Sequence, residues 1–153
     1  MTIDEILAPE DVLAGLRAPS KKALLESLAA RAADRLGLAV DVILAPLARR
    51  EELGSTGVGD GVALPHARLE GIDRPFGLLA RLRDPMEFDA VDDRPIDLVF
   101  LLLLPAGSEG RHLNALACVA RWLRDPETAA ALRGARDAAA LHAVVGDRML
   151  SKA

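Results

Sequence analysis

Ile96-Asp97-Leu98-Val99-Phe100-Leu101-Leu102-Leu103-Leu104 is the stretch on which the fold turns. With Pro105 it contains the longest apolar run in the chain, Leu98 to Pro105, far short of the ~20 residues that span a bilayer. A strand this apolar offers no face to water, so it belongs at the centre of a sheet covered on both sides. Immediately upstream, Asp92-Asp93-Arg94-Pro95 supplies turn chemistry, and Phe76 to Leu82 reads as a second strand. Downstream, Ser108 can cap a helix from Glu109 to Arg124 with Leu113, Leu116, Ala117, Val119, Ala120 and Leu123 on its inner face. Asp125-Pro126-Glu127 restarts a helix with a cap, a proline at the first helical position and an acid at the positive end. A last helix is expected from about Ala135 to Val145, ending at Gly146, with a loose tail over 148–153.

Toward the N-terminus, Ser20 is a natural cap for Leu24, Leu25, Leu28, Ala29, Ala32 and Leu36 at helical spacing, and Gly37 closes the segment. A second helix is expected from about Val40 to Glu52, with Asp41 as cap or first-turn acid. Then Gly54-Ser55-Thr56-Gly57-Val58-Gly59-Asp60-Gly61 breaks the pattern, its four glycines ill suited to a helix or strand. Val62 to Leu64 reads as a short strand leading into Pro65-His66. Helices alternating with buried strands predict one α/β domain over residues 1–153, a mixed β-sheet flanked by α-helices.

Composition narrows the function. The net charge of −4 comes without any basic cluster, which argues against nucleic acid as a partner. Cys118 is the only cysteine, so no internal disulfide forms and a reducing compartment fits. The opening Met1-Thr2-Ile3-Asp4-Glu5 is acidic where a secretory signal is basic; a cytoplasmic location without membrane insertion is expected.

Of the three histidines, His66 follows the glycine-rich loop and a short apolar strand, so it should emerge at a strand's C-terminal edge, where α/β folds place ligands. Gly57, Gly59 and Gly61 allow backbone N–H groups to converge on an anion, and Arg68 stands two residues beyond. An imidazole beside anion-binding amides and an arginine suits a phosphoryl acceptor. The competing reading of His66 is an ordinary strand-end histidine next to a tight turn. His112 falls in the first turn or so of its helix, where the dipole attracts anions; read alone, it is better taken as a partly buried helix histidine bonded to a neighbour. His142 has no polar company and is given no role.

Other chemistries fail. No Gly-Lys-Ser/Thr follows the glycine loop, and the loop precedes a strand rather than opening a helix, so neither a nucleotide P-loop nor a dinucleotide fingerprint is present. No His or Cys pair has zinc-ligand spacing. Ser55 lacks a nucleophile elbow, while Cys118 and Trp122 read as packing residues.

The stretch Arg50-Glu51-Glu52-Leu53-Gly54-Ser55-Thr56-Gly57-Val58-Gly59-Asp60-Gly61-Val62-Ala63-Leu64-Pro65-His66-Ala67-Arg68 resembles the active-site signature of the EIIA proteins of the bacterial phosphotransferase system, fructose/mannitol type. Within that type the chain is most similar to the nitrogen-regulatory branch, and the likeness extends from Leu7-Ala8-Pro9-Glu10-Asp11-Val12-Leu13 to His112-Leu113 and Leu123-Arg124-Asp125. The resemblance implies the mixed sheet of that fold and His66 as the residue phosphorylated, through Nε2, by an HPr-like carrier. It implies His112 as a neighbour bonding the phosphoryl group and Arg50 as a lining residue. Ser55, Thr56, Gly57, Gly59, Asp60 and Arg68 complete the expected phosphoryl-binding set. Asp60 departs from the asparagine usual in the family. A carboxylate in the site would repel phosphate, whereas an Asp bonded to its own loop would be harmless, and the second is preferred.

The expected reaction is in-line transfer from a donor phosphohistidine, with no metal or cofactor, and with a backbone carbonyl on the other ring nitrogen fixing the reactive tautomer. Val58, Val62 and Leu64 are expected to form an apolar rim for docking. Two outlets stay open: a regulator whose phosphorylation state alters binding to target proteins, or an uptake component passing phosphate to an EIIB. The lack of a fused EIIB or membrane segment favours the regulator. A sensor module that has lost phosphotransfer is a remoter third, with Asp60 its only hint.

Overall fold

The computed structural model describes residues 2–107 and 109–152, with side chains outside 109–112 and 147–152. Its strands are β1 (Val12–Leu16), β2 (Gly57–Gly59), β3 (Val62–Ala63), β4 (His66–Leu69), β5 (Phe76–Met86) and β6 (Ile96–Pro105). Its helices are α1 (Ile3–Ile6), α2 (Lys21–Leu36), α3 (Val40–Glu52), α4 (Glu109–Arg124), α5 (Pro126–Gly134) and α6 (Ala138–Lys152), with a 3-10 turn over Pro9–Asp11. They form a single domain. Among the described residues no helix is long and apolar enough to cross a membrane.

β6 is the central strand, as its sequence requires: every residue from Leu98 to Leu104 is buried. One face of it, Val99, Leu101 and Leu103, packs under α2 and α3; the other, Leu98, Phe100, Leu102 and Leu104, packs under the helices from α4 onward. The sheet order is β1-β5-β6-β3-β2, with β4 also on β6. β5 runs antiparallel to β6, whereas β1 is parallel to β5 and both β3 and β4 are parallel to β6, so the sheet is mixed. β3 and β4 are two pieces of one line along β6. The register is common to both, Val62 facing Leu98 and His66 facing Leu102, and the Pro65 carbonyl accepts from the Leu102 amide between them.

The helix signals act where the sequence puts them. The Ser20 side chain accepts from the Ala23 amide at 3.1 Å, and Gly37 ends α2 in the left-handed conformation, φ 68°. Asp125 accepts from both the amide and the hydroxyl of buried Thr128, at 3.0 and 2.9 Å, with Pro126 at the first position of α5.

Several expectations are corrected. β2 includes Gly57 and Gly59, which lie opposite Ala63 and Val62 of β3 despite the missing side chains; the Gly57 amide and carbonyl are satisfied by the Ser55 hydroxyl and the Val91 amide. In α4 the buried stripe is Ala115, Val119, Trp122 and Leu123, while Leu113 and Ala117 are exposed. α6 starts at Ala138 and runs through Gly146 to Lys152, taking in most of the stretch read as a loose tail. Glycine lowers helix propensity but does not stop a helix already held by buried Leu141 and Val145. The Ser108 cap lies outside the described residues.

Candidate functional site

His66 is the first residue of β4, one residue past Pro65, and not a residue beyond the end of a strand. The line of β3 and β4 brings it up on the α4 side of the sheet, half-buried, into a cleft of about 660 Å³. The walls come from three elements. α3 gives Pro46, Arg49, Arg50, Glu52 and, just past its end, Leu53; β4 gives His66, Ala67 and Arg68; α4 gives Leu113 and Leu116, with Leu104 of β6 beneath.

The ring of His66 is oriented by its own strand. Nδ1 lies 2.9 Å from the Leu64 carbonyl and, as the only one of the pair able to carry a proton, donates to it. Nε2 is then the ring nitrogen with the free lone pair. Burial pushes the imidazole below its ordinary value. The Leu64 carbonyl pulls the other way, Arg50 lowers, Glu51 raises, and Arg68 lowers. The net direction favours the neutral ring, the form that can act as a nucleophile.

Arg50 and Arg68 are therefore brought to His66, and the cleft adds Arg49, an exposed cation the sequence reading had not singled out. Arg50 is braced by Nη1 donating to the Gly54 carbonyl at 2.9 Å. The rest of the expected phosphoryl-binding set is engaged elsewhere. The Ser55 hydroxyl donates to the Phe88 carbonyl at 2.8 Å and accepts from the Gly57 amide at 3.0 Å. Thr56 is buried, with its amide and hydroxyl both on the Glu51 carboxylate. The Gly57 amide thus already has a partner and is not open to the anion cradle expected of Gly57, Gly59 and Gly61, and the Thr56 amide is likewise taken.

Gly59, Asp60 and Gly61 form the turn between β2 and β3, with φ of 104°, 58° and 78°. These residue types serve the backbone conformation, since Asp tolerates the left-handed region better than most non-glycine residues. Asp60 donates its amide to Asp92 at 3.0 Å and its carbonyl accepts from Arg133 at 2.7 Å; it borders a separate cleft with Pro85, Arg94 and Asp97. The repulsive carboxylate considered from the sequence is not in the His66 cleft. His112 belongs to α4, one residue before the cleft-lining Leu113, and its side chain lies outside the described residues.

The expected rim is also corrected. Val62 and Leu64 are buried in the core and Val58 packs against that core. The apolar surface at the cleft is instead Leu53 and Leu113, 85% and 68% exposed. A leucine just past a helix end and another in the first half of an otherwise amphipathic helix were the available clues; Leu113 is expected from the sequence on the inner face, and Leu53 is given no role there.

Comparison with known proteins follows the same outline. The family model described as "Phosphoenolpyruvate-dependent sugar phosphotransferase system, EIIA 2" matches residues 5–147. A nitrogen regulatory protein of Bradyrhizobium diazoefficiens is 47% identical over 145 residues, 95% of each chain. That of Escherichia coli is 36% identical over 148 residues, 96% of this chain and 91% of its own. The crystal structure of nitrogen regulatory protein IIA-Ntr from Neisseria meningitidis matches with a TM-score of 0.87 at 34% identity, covering 94% of this chain and 98% of that one.

Proposed function

The chain belongs to the EIIA 2 family of the phosphoenolpyruvate-dependent sugar phosphotransferase system, and from that premise we propose that it carries a phosphoryl group on Nε2 of His66. The observation that carries this reading is the bond from Nδ1 to the Leu64 carbonyl, which commits the ring proton to one nitrogen and leaves the other free at the cleft. The donor is an HPr-like phosphocarrier. The Nε2 lone pair attacks phosphorus in line, the P–N bond of the donor phosphohistidine breaks, and its electron pair returns to the donor ring. Nδ1 keeps its proton, donated to the Leu64 carbonyl, throughout. Arg50, Arg68 and Arg49 offset the charge on the phosphoryl oxygens, which suits a transfer that needs positioning and charge neutralisation more than acid–base work. His112, on α4 one residue before the cleft-lining Leu113, is assigned the role of steadying the bound phosphoryl group.

Exposed Leu53 and Leu113 beside the arginines give a docking rim suited to brief contact with a carrier. Because nitrogen regulatory proteins 47% and 36% identical match 95% and 96% of this chain, the outlet of the carrier is regulatory: its phosphorylation state alters binding to cytoplasmic target proteins, in preference to relay through an EIIB.

The test is incubation with phosphoenolpyruvate and the general phosphotransferase carriers, read by intact mass and acid lability. One acid-labile phosphoryl group is expected, absent from His66→Ala and accumulating more slowly in His112→Ala. An adduct that persists in His66→Ala, or none at all while the upstream carrier is charged, would overturn the reading.

A further inference from the structure

Behind the cleft, the last turn of α3 sends two adjacent side chains to different work. Arg50 lines the cleft and rests on the Gly54 carbonyl. Glu51 is almost wholly buried, its side chain 7% exposed, and pairs with Lys21 Nζ at 2.8 Å. It accepts the Thr56 amide on both carboxylate oxygens, at 3.2 and 3.3 Å, and also the Thr56 hydroxyl. Lys21 in turn sits 4.5 Å from the centre of the Phe88 ring, and the Phe88 carbonyl holds Ser55. Three consecutive residues of the loop after α3 are thereby fastened: Gly54 to Arg50, Ser55 to Phe88, Thr56 to Glu51.

A buried ion pair is a weak source of stability, since apolar residues of similar volume in its place are often as stable or more so. Here the pair's bonds go to the loop on which a cleft arginine leans. We propose that Glu51 is a positioning residue for phosphoryl transfer at His66: by clamping Thr56 it fixes the Gly54 carbonyl and so sets where the Arg50 guanidinium stands. The inference rests on His66 as the phosphoryl acceptor. Guanidinium placement matters because a shift of an ångström at a reacting centre is large on the scale of near-attack geometry. Thr56, expected from its place in the motif to touch phosphate, acts instead as the anchor point of this clamp.

The experiment is single-turnover transfer from the charged donor at several donor concentrations, for Glu51→Ala, Glu51→Gln, Thr56→Val and Arg50→Ala, with thermal unfolding of each to correct for the folded fraction. Glu51→Ala is expected to lower the saturated rate by about tenfold to a hundredfold with the half-saturating donor concentration little changed. Thr56→Val, which keeps the shape and removes one bond, gives a smaller loss of the same kind, and Glu51→Gln, which retains an acceptor for Thr56, recovers most of the rate. In an Arg50→Ala background neither Glu51→Ala nor Thr56→Val adds a further loss, because their effect runs through Arg50. Additive losses in the double variants, or wild-type rates in the single ones, overturn the inference. If Glu51→Ala does not fold, the Thr56→Val and Arg50→Ala cycle makes the same decision. Wild-type protein without phosphate on His66 refutes the acceptor assignment itself, a distinct result.

Discussion

His66 carries its pH dependence in its surroundings. Burial acts first against the imidazolium, and the folded-state value lies below the ordinary 6.5. Between those two values the unfolded chain binds a proton that the folded chain does not, so stability falls as pH is lowered through 6.5 and levels off below the folded value. Above 6.5 the group contributes nothing to the slope. Urea unfolding at about pH 7.5 and about pH 5.5 should therefore show a smaller difference for His66→Gln than for the wild type. The same shift bears on transfer: the rate should hold as pH falls through 6.5 and drop only lower, when Nε2 takes a proton. Arg50→Ala removes a cation that disfavours the imidazolium, so the break in the pH–rate profile should move upward. A profile unmoved by Arg50→Ala would show that the arginine is not electrostatically coupled to the ring. Asp60 is the contrasting residue. Its left-handed backbone is one that Asn also tolerates, and it borders another cleft, so Asp60→Asn should leave transfer to His66 unchanged in the same assay.

The elements differ in how locally they are specified, and the helix caps show it. Ser20→Ala removes one side-chain acceptor from the exposed start of α2 and should cost about 1 kcal/mol. Asp125→Ala strips partners from the amide and hydroxyl of fully buried Thr128, so a larger loss, about 2 kcal/mol, is expected from urea unfolding. Equal losses would mean that water reaches Thr128 once the carboxylate is gone. Because caps are chains of three or four residues, α2 and α5 were legible, as was β6 from its unbroken apolar run. β1 was not. Val12–Leu16 holds Ala14 and Gly15 and becomes a strand through parallel pairing with β5, a partner more than sixty residues away. β4 escaped for a related reason: His66 and Arg68 on the cleft side look like loop residues until β6 supplies the ladder. The inner face of α4 was misjudged because Leu113, which completes an apolar stripe, is left outside to line the cleft. The nearness of His66 and Arg68 could be read from the motif, while Arg50 and the choice of Nε2 came only as what the family likeness implies. The employment of Ser55 and Thr56 could not, because it depends on Phe88 and on which way Glu51 turns.

At the scale of the molecule, the site depends on both helical layers at once. Arg49 and Arg50 come from α3 on one side of the sheet, Leu113 and Leu116 from α4 on the other, and His66 from the sheet between them. Neither layer can loosen without changing the cleft, and both share the buried residues of β6 as their floor. The chain contains one tryptophan, Trp122, which is buried in the α4 layer with its ring edge-on to Phe100 at 6.4 Å. Its fluorescence reports on that layer alone. Leu28 is fully buried in the opposite layer, among the side chains of α2, α3 and the far face of the sheet. Leu28→Ala should cost about 2–5 kcal/mol through the cavity it leaves. If the two layers form one cooperative unit through β6, urea unfolding followed by Trp122 fluorescence and by far-ultraviolet circular dichroism should give one shared midpoint, lowered equally for both probes by Leu28→Ala. If the layers were separable, the dichroism would divide into two steps and the fluorescence would keep its wild-type midpoint. The continuous burial of β6 on both faces is the physical reason to expect the first result, since a sheet stripped of one layer would expose Val99, Leu101 and Leu103 to water along its central strand.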